Sequence, residues 1–215
     1  MTFIENRAML SRYYVEQNSL YQTPQKSDEE DKKYNVWDYV FLDGEDLHTR
    51  YKRANKYGPI LFRFNLDMLM SPSIKLIQIT KSNPWYWKEN TLMSQKFYNS
   101  SEEFKNDYLT SKKLDSQIMF LIKSPEKEIK LNKFLHSIGV DIPKLLINLV
   151  GGSQMSVGDY AFQAIEKSLK ENGLNHIPIL KRHGGNLTTC GCHRNYNYLY
   201  TFDYKEFKKR FGKNK

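Results

Sequence analysis

Long apolar runs are missing from this sequence. No stretch approaches the roughly 20 residues that a membrane-spanning helix needs, so no membrane partner is expected. The stretch Met1 to Arg7 lacks a basic segment followed by an apolar core, so no secretory signal is read there. Cysteine is scarce, with two in 215 residues. Cys190 and Cys192 are separated by one residue, which is poor spacing for an intramolecular bridge, and so small a count does not describe a disulfide scaffold. A reducing, cytoplasmic location is the expectation. Also missing are the Walker A loop, Gly-x-Gly-x-x-Gly, Gly-x-Ser-x-Gly and His-Glu-x-x-His. Rossmann-type hydride transfer, P-loop hydrolysis, serine esterase and zincin chemistry are therefore disfavoured. Cys190 and Cys192 with His183 and His193 crowd their donors closer than zinc sites usually do, so no metal is expected.

What is present is positive charge and aromatic surface. The formal net charge is +9, which raises the local concentration of polyanions such as nucleic acid or nucleotide. Hydrophobic residues make up 40% and charged residues 27%, a globular rather than a disordered composition. The 15 Tyr and 12 Phe suit clefts for ring-shaped ligands, or equally an aromatic-rich core and rim.

Along the chain, residues 1–36 read as helix followed by loop, with Ile4, Met9, Leu10 and Tyr13 or Tyr14 at helical spacing. The acidic run Ser27 to Asp31 reads as a solvated loop. Val36 to Leu42 reads as a buried strand ended by Gly44, Asp46 as the cap of a short helix through Lys56, and Tyr57-Gly58-Pro59 as its stop. Ile60 to Phe64 is a second strand, Asn65 to Met70 turns away, and Ile74 to Thr80 is a third. Asn83-Pro84 interrupts the chain. Ile118 to Ile122 is the clearest strand of all, and Ile129 to Leu135 and Leu145 to Val150 continue the apolar pattern. Ser156 caps a helix whose Val157, Tyr160, Ala161, Ala164, Ile165 and Leu169 share one face, with Gly173 as its stop. Tyr196 to Phe202 reads as an aromatic strand, followed by a basic helix-like segment. Short strands in irregular alternation with helices favour an α+β fold with a mixed or antiparallel sheet.

The most informative stretch is Asp115-Ser116-Gln117-Ile118-Met119-Phe120-Leu121-Ile122. It resembles the Glu/Gln-x-Glu motif of mono-ADP-ribosyltransferases, in which the catalytic glutamate precedes a strand beside the NAD cleft. The block Tyr39-Val40-Phe41-Leu42-Asp43 through Tyr57-Gly58-Pro59-Ile60-Leu61-Phe62-Arg63-Phe64 is similar to the strand–helix–strand unit of the same superfamily. Phe3-Ile4-Glu5-Asn6, followed by an apolar-periodic segment and Leu20-Tyr21, resembles the opening of DarT-type DNA ADP-ribosyltransferases. This chain departs from those enzymes in having no His-x-Thr-like strand upstream; Arg7 or Arg12 is a candidate substitute, and either is equally read as a surface arginine.

The resemblance implies an ADP-ribosyltransferase-like core over residues 1–150, with residues 151–215 adding a helix and a basic aromatic extension. It implies NAD as co-substrate, Gln117 and Asp115 as the catalytic pair, and Tyr39, Phe41, His48, Arg50 and Arg7 as NAD contacts. The alternative for His48 and Arg50 is the exposed face of a helix shared with Lys52, Arg53 and Lys56. Cleaving the nicotinamide bond builds oxocarbenium character on the ribose, and a carboxylate stabilises that charge. Gln117 keeps the hydrogen-bonding shape without the charge, so the chain is expected to bind NAD and transfer poorly. Such an enzyme would be a toxin or phage-defence effector with an antitoxin or immunity partner.

The tail from His176 to Lys215 has nine Lys or Arg against Asp203 and Glu206. With Tyr196, Tyr198, Tyr200 and Phe202 just upstream, Lys205, Lys208, Lys209 and Arg210 suggest RNA or DNA, phosphates on cations and bases on rings. An edge strand followed by a soluble helix is the alternative. Two other functions compete with the transferase: a nucleic-acid-binding module without chemistry, and a nuclease using His136, His176 or His183.

Overall fold

Alternating burial along short apolar runs decides the sheets. The computed structural model describes residues 1–21, 27–46, 48, 59–110, 118–182 and 191–211. In chain order it contains α1 (Thr2–Glu5), β1 (Ala8–Leu10), α2 (Arg12–Gln17), α3 (Asp28–Lys33), β2 (Val40–Asp43) and β3 (Ile60–Phe64). A 3-10 turn at Leu66–Met70 leads to β4 (Leu76–Ile79), and another at Pro84–Tyr86 leads to α4 (Met93–Lys96) and α5 (Ser101–Leu109). Then come β5 (Met119–Lys123), β6 (Glu128–Lys130), α6 (Leu131–Phe134), β7 (Leu135–Asp141), β8 (Leu146–Asn148) and β9 (Gln154–Ser156). The chain closes with α7 (Val157–Glu171), β10 (Ile179–Arg182), α8 (Cys192–Phe202) and α9 (Tyr204–Phe211).

This is an α+β arrangement with antiparallel and mixed sheets. One three-stranded sheet has the order β2-β5-β4 and is antiparallel throughout. The other has the order β10-β7-β3, with β3 antiparallel and β10 parallel to the central β7. Two small antiparallel pairs, β1-β6 and β8-β9, flank them. The sheets meet through Val40, Ile122 and Ile129, with Leu42, Phe120 and Phe64 packed against them. On its other side the antiparallel sheet rests on Val36, Tyr39, Trp87, Phe97, Met119 and Leu121. There Trp87 meets Tyr34 and Phe97 edge-on, at ring separations of 5.6 and 5.1 Å.

Helix α7 forms where the caps and the apolar face predict it. Ser156 Oγ accepts from Asp159 N at 3.0 Å, and its hydroxyl donates to the Asp159 carboxylate at 2.7 Å. Gly173 follows with φ +67°, a left-handed stop that suits glycine. The buried Ile165 and Leu169 pack on Ile138, Val140 and Ile142. At its start the helix touches the end of β7: a Cβ on Gly158 would lie 2.5 Å from the Ile142 Cα.

Four sequence expectations change. Met9 and Leu10, read at helical spacing, lie on strand β1 paired with β6. The expected loop at Ser27 to Asp31 is the start of α3, and Asp31 is buried. Its acids fill the first turn and Lys32 and Lys33 the last, which is the charge order a helix dipole favours. The expected strand at Tyr196 to Phe202 is helix α8. Finally, β7, the centre of the mixed sheet, covers Leu135–Asp141, where only part of an apolar pattern was legible. No helix among the described residues is long and apolar enough to cross a membrane.

Two stability predictions follow from this packing. Gly158→Ala presses a methyl group onto backbone rather than onto a movable side chain, so it should lower unfolding free energy by about 1–3 kcal/mol, read by denaturant titration; an unchanged midpoint would show that α7 can shift without penalty. Burial, with repulsion from Asp28 and Glu30, pushes the Asp31 carboxyl from its ordinary 3.8 up to about 6, against a hydrogen bond from Ser27 and the Arg12 charge. A raised carboxyl pKa means that the folded state prefers the proton. Its stabilising contribution is full below about pH 4 and is lost as pH rises through about 6. Asp31→Asn should therefore be more stable than the parent at neutral pH, by on the order of 2 kcal/mol, with the gap closing near pH 4.

Candidate functional site

The mixed sheet has two unlike faces because its strands alternate two kinds of side chain. On one face Ile60 and Phe62 of β3, Ile138 and Val140 of β7, and Ile179 of β10 pack under α7. The same registers put Leu61 and Arg63, then Ser137, Gly139 and Asp141, then Leu180 and Arg182 on the other face. Ser137 and Asp141 are buried there. Gly139 leaves the floor flat, and a Cβ on it would lie 3.3 Å from Arg182 Cδ. The Arg182 stem therefore runs across the central strand.

Around this polar floor four segments converge. Asp46 and His48 lie beyond the end of β2, where Gly44 N donates to Ile118 O at 2.7 Å. Asp46 Oδ1 takes the His48 Nδ1 at 2.9 Å and the His48 backbone N–H at 3.0 Å, while its other oxygen receives Arg63 at 3.3 Å. Burial acts to raise the Asp46 pKa. The His48 ring and backbone hydrogen bonds, with the Arg182 charge, overcome it and hold the carboxyl well below its ordinary value. With Asp46 ionised, His48 Nδ1 is the donor in this contact.

At the far end of the floor, Asp141 accepts from the Tyr196 hydroxyl at 2.5 Å and lies 3.7 Å from Arg182 Nε. Burial first, and then the Asp141 charge, push the Tyr196 hydroxyl far above its ordinary pKa, so it remains a donor. Cys192, the first residue of α8, is 1% exposed. One donor atom from each of His48, Asp141 and Cys192 lies within 4.8 Å of the other two. Imidazole, carboxylate and thiol together are a set that transition metals accept. Here the Asp141 carboxylate is already engaged by the Tyr196 hydroxyl and faces the Arg182 guanidinium. Arg182 Nη1 is different: it is buried with no hydrogen-bond partner among the described residues.

The sequence-derived site residues divide sharply. His48 belongs to the polar site, 6% exposed and not on a solvated helix face. Gln117, Asp115 and Arg50 lie outside the described residues, as do Cys190 and His183. Tyr39 belongs to the cluster of Trp87, Phe97 and Leu121, and Phe41 packs against it. Arg7 lies apart from the polar face. It is exposed at φ 52° after α1, whose Ile4 belongs to the apolar core under α7 and not to the polar face. Lys205, Lys208 and Lys209 are exposed on α9, whereas Arg210 is half-buried against Glu206 at 3.2 Å. His136 and His176 are exposed.

Asp141, Arg182, Cys192, Tyr196 and Arg63 were missed as site residues. The available signal was the small and polar alternation Ser137, Gly139, Asp141 inside an otherwise apolar strand. No protein-family model, curated protein or solved structure matches the chain.

Tyr196→Phe removes the hydroxyl from a buried carboxylate and should cost about 1.5–3 kcal/mol of stability. Because that hydroxyl stays protonated, the deficit should persist across the neutral and mildly alkaline range. Equal denaturant midpoints for parent and variant would show that Asp141 does not depend on it.

Proposed function

We propose that this protein transfers ADP-ribose from NAD to a macromolecule, as a toxin or phage-defence effector, with NAD lying across the polar face of β3, β7 and β10. The observation that carries the reading is the buried Arg182 Nη1, which has no acceptor among the described residues. A buried unsatisfied donor costs about 1–3 kcal/mol, and a phosphoryl oxygen would recover that cost. Arg63 stands on the same face, and the Arg182 stem reaches across the strand over Gly139.

The pairing of β2 with β5 lends further support. The Gly44–Ile118 hydrogen bond ties the residue that follows Gln117 in sequence to the turn carrying Asp46 and His48. In this reading Arg182 and Arg63 hold the pyrophosphate, and His48, oriented by Asp46, contacts a ribose hydroxyl. Gln117 meets the reacting ribose. Its amide positions a hydroxyl but offers no negative charge to the oxocarbenium-like transition state. Transfer by the chain as written is therefore slow, and binding is retained.

The test compares the parent chain with Gln117→Glu, using labelled NAD and separated RNA, DNA and protein fractions. NAD at millimolar concentration should raise the melting temperature of both forms, and the glutamate form should label its acceptor roughly 100-fold faster. No thermal shift with either form, together with an inert Gln117→Glu protein, would sink the proposal.

A further inference from the structure

Helix α8 is two-sided along its length. Its inner side carries Cys192, Tyr196 and Leu199, packed with Phe207 and Phe211 of α9 and Val157 of α7. Its outer side carries Arg194, Tyr198 and Phe202 at successive i, i+4 positions, so the three stand one above another on a single face. Arg194 is exposed, Tyr198 is 59% exposed and Phe202 is 73% exposed. The Tyr198 and Phe202 rings lie 5.1 Å apart at an angle of 40°. Two residues after Phe202, α9 adds Tyr204, 50% exposed, with the Lys208 ammonium 5.1 Å over its ring.

Tyr198 and Phe202 stand outside the core cluster, whereas Tyr204 stacks on the buried Phe207 at 6.0 Å. The surrounding charge is of one sign in effect. Residues 191–211 contain five cations and two acids. Asp203 is engaged in accepting from Glu206 N at 3.1 Å, and Glu206 pairs with Arg210 and Lys209. Arg194, Lys205 and Lys208 are exposed around the rings.

We infer that this strip docks single-stranded nucleic acid, which is the acceptor class for the transferase reading above and rests on it. Flat exposed rings spaced by one helical turn offer stacking for unpaired bases, and the flanking cations meet the phosphates. A duplex presents no open base faces to such rings, and an acidic protein partner would use the cations but not the stacking geometry. Helix α8 also links strip and site, since Tyr196 and Cys192 at its inner end belong to the polar face.

The experiment measures anisotropy of labelled single-stranded RNA and DNA of about 12 nucleotides, with the full chain, over a salt series. Affinity should fall with salt at a log–log slope of about −3. Tyr198→Ala and Phe202→Ala should each weaken binding roughly tenfold at an unchanged melting temperature, because both side chains are exposed. Arg194→Gln should reduce the salt slope by about 0.7. Equal affinity for duplex, or no effect of the ring substitutions, would overturn the inference. So would a dimer in sedimentation that the ring substitutions dissociate. The NAD thermal shift is read on the same variants and separates the two ideas. Its loss with oligonucleotide binding intact refutes NAD chemistry alone; its presence with no oligonucleotide binding refutes the strip alone.

Discussion

A carboxylate at the end of a central strand, 1% exposed, sets the terms for its surroundings. A buried charge costs several kcal/mol unless it is paired and hydrogen-bonded. Asp141 meets that requirement with the Tyr196 hydroxyl and the Arg182 guanidinium. One partner comes from α8 and the other from β10, so satisfying this single side chain fixes the C-terminal helix against the sheet. His48 and Cys192 are brought together as a result, with Asp46 holding the His48 ring from the other side.

The site and the basic tail use charge differently. The polar face holds two carboxylates, Asp46 and Asp141, beside two guanidiniums, Arg63 and Arg182. An anionic ligand there would be held by completing a donor set and not by a strong local potential. The segment of α8 and α9, residues 191–211, instead carries five cations against two acids, a surplus that acts at longer range and is weakened by salt. The balanced charges thus sit on the mixed sheet and the segment after β2, and the unbalanced ones on the C-terminal helix pair.

Much of the frame was legible because its signals are local. Ile60–Phe64 and Val40–Asp43 are apolar runs with clear ends, and α7 has both a serine cap and a glycine stop. The failures have physical causes. In β7, Ser137, Gly139 and Asp141 interrupt the apolar pattern because one face of that strand is not core. In α8, aromatic residues at every second position imitate a strand, whereas Tyr196, Leu199 and Tyr200 at helical spacing supply the packing. In α3 an acidic run suggested solvent, and its order relative to the two lysines was the better guide. His48 was legible as a residue of interest. Its companions Asp141, Arg182 and Cys192 were not, because no local spacing connects positions so far apart.

The parallel pairing of β10 with β7 has a consequence for synthesis on the ribosome. Strand β7 can pair with β3 as soon as it emerges, since β3 precedes it in the chain. Its other edge must wait for the α7 crossover and β10, and Asp141 must wait longer still for Tyr196. Until then the polar face stays open to water, and its charges remain solvated at no penalty. Long-range closure of this kind is slow and comes late. The polar face is therefore completed only after β10 and α8 have followed β7 out of the ribosome.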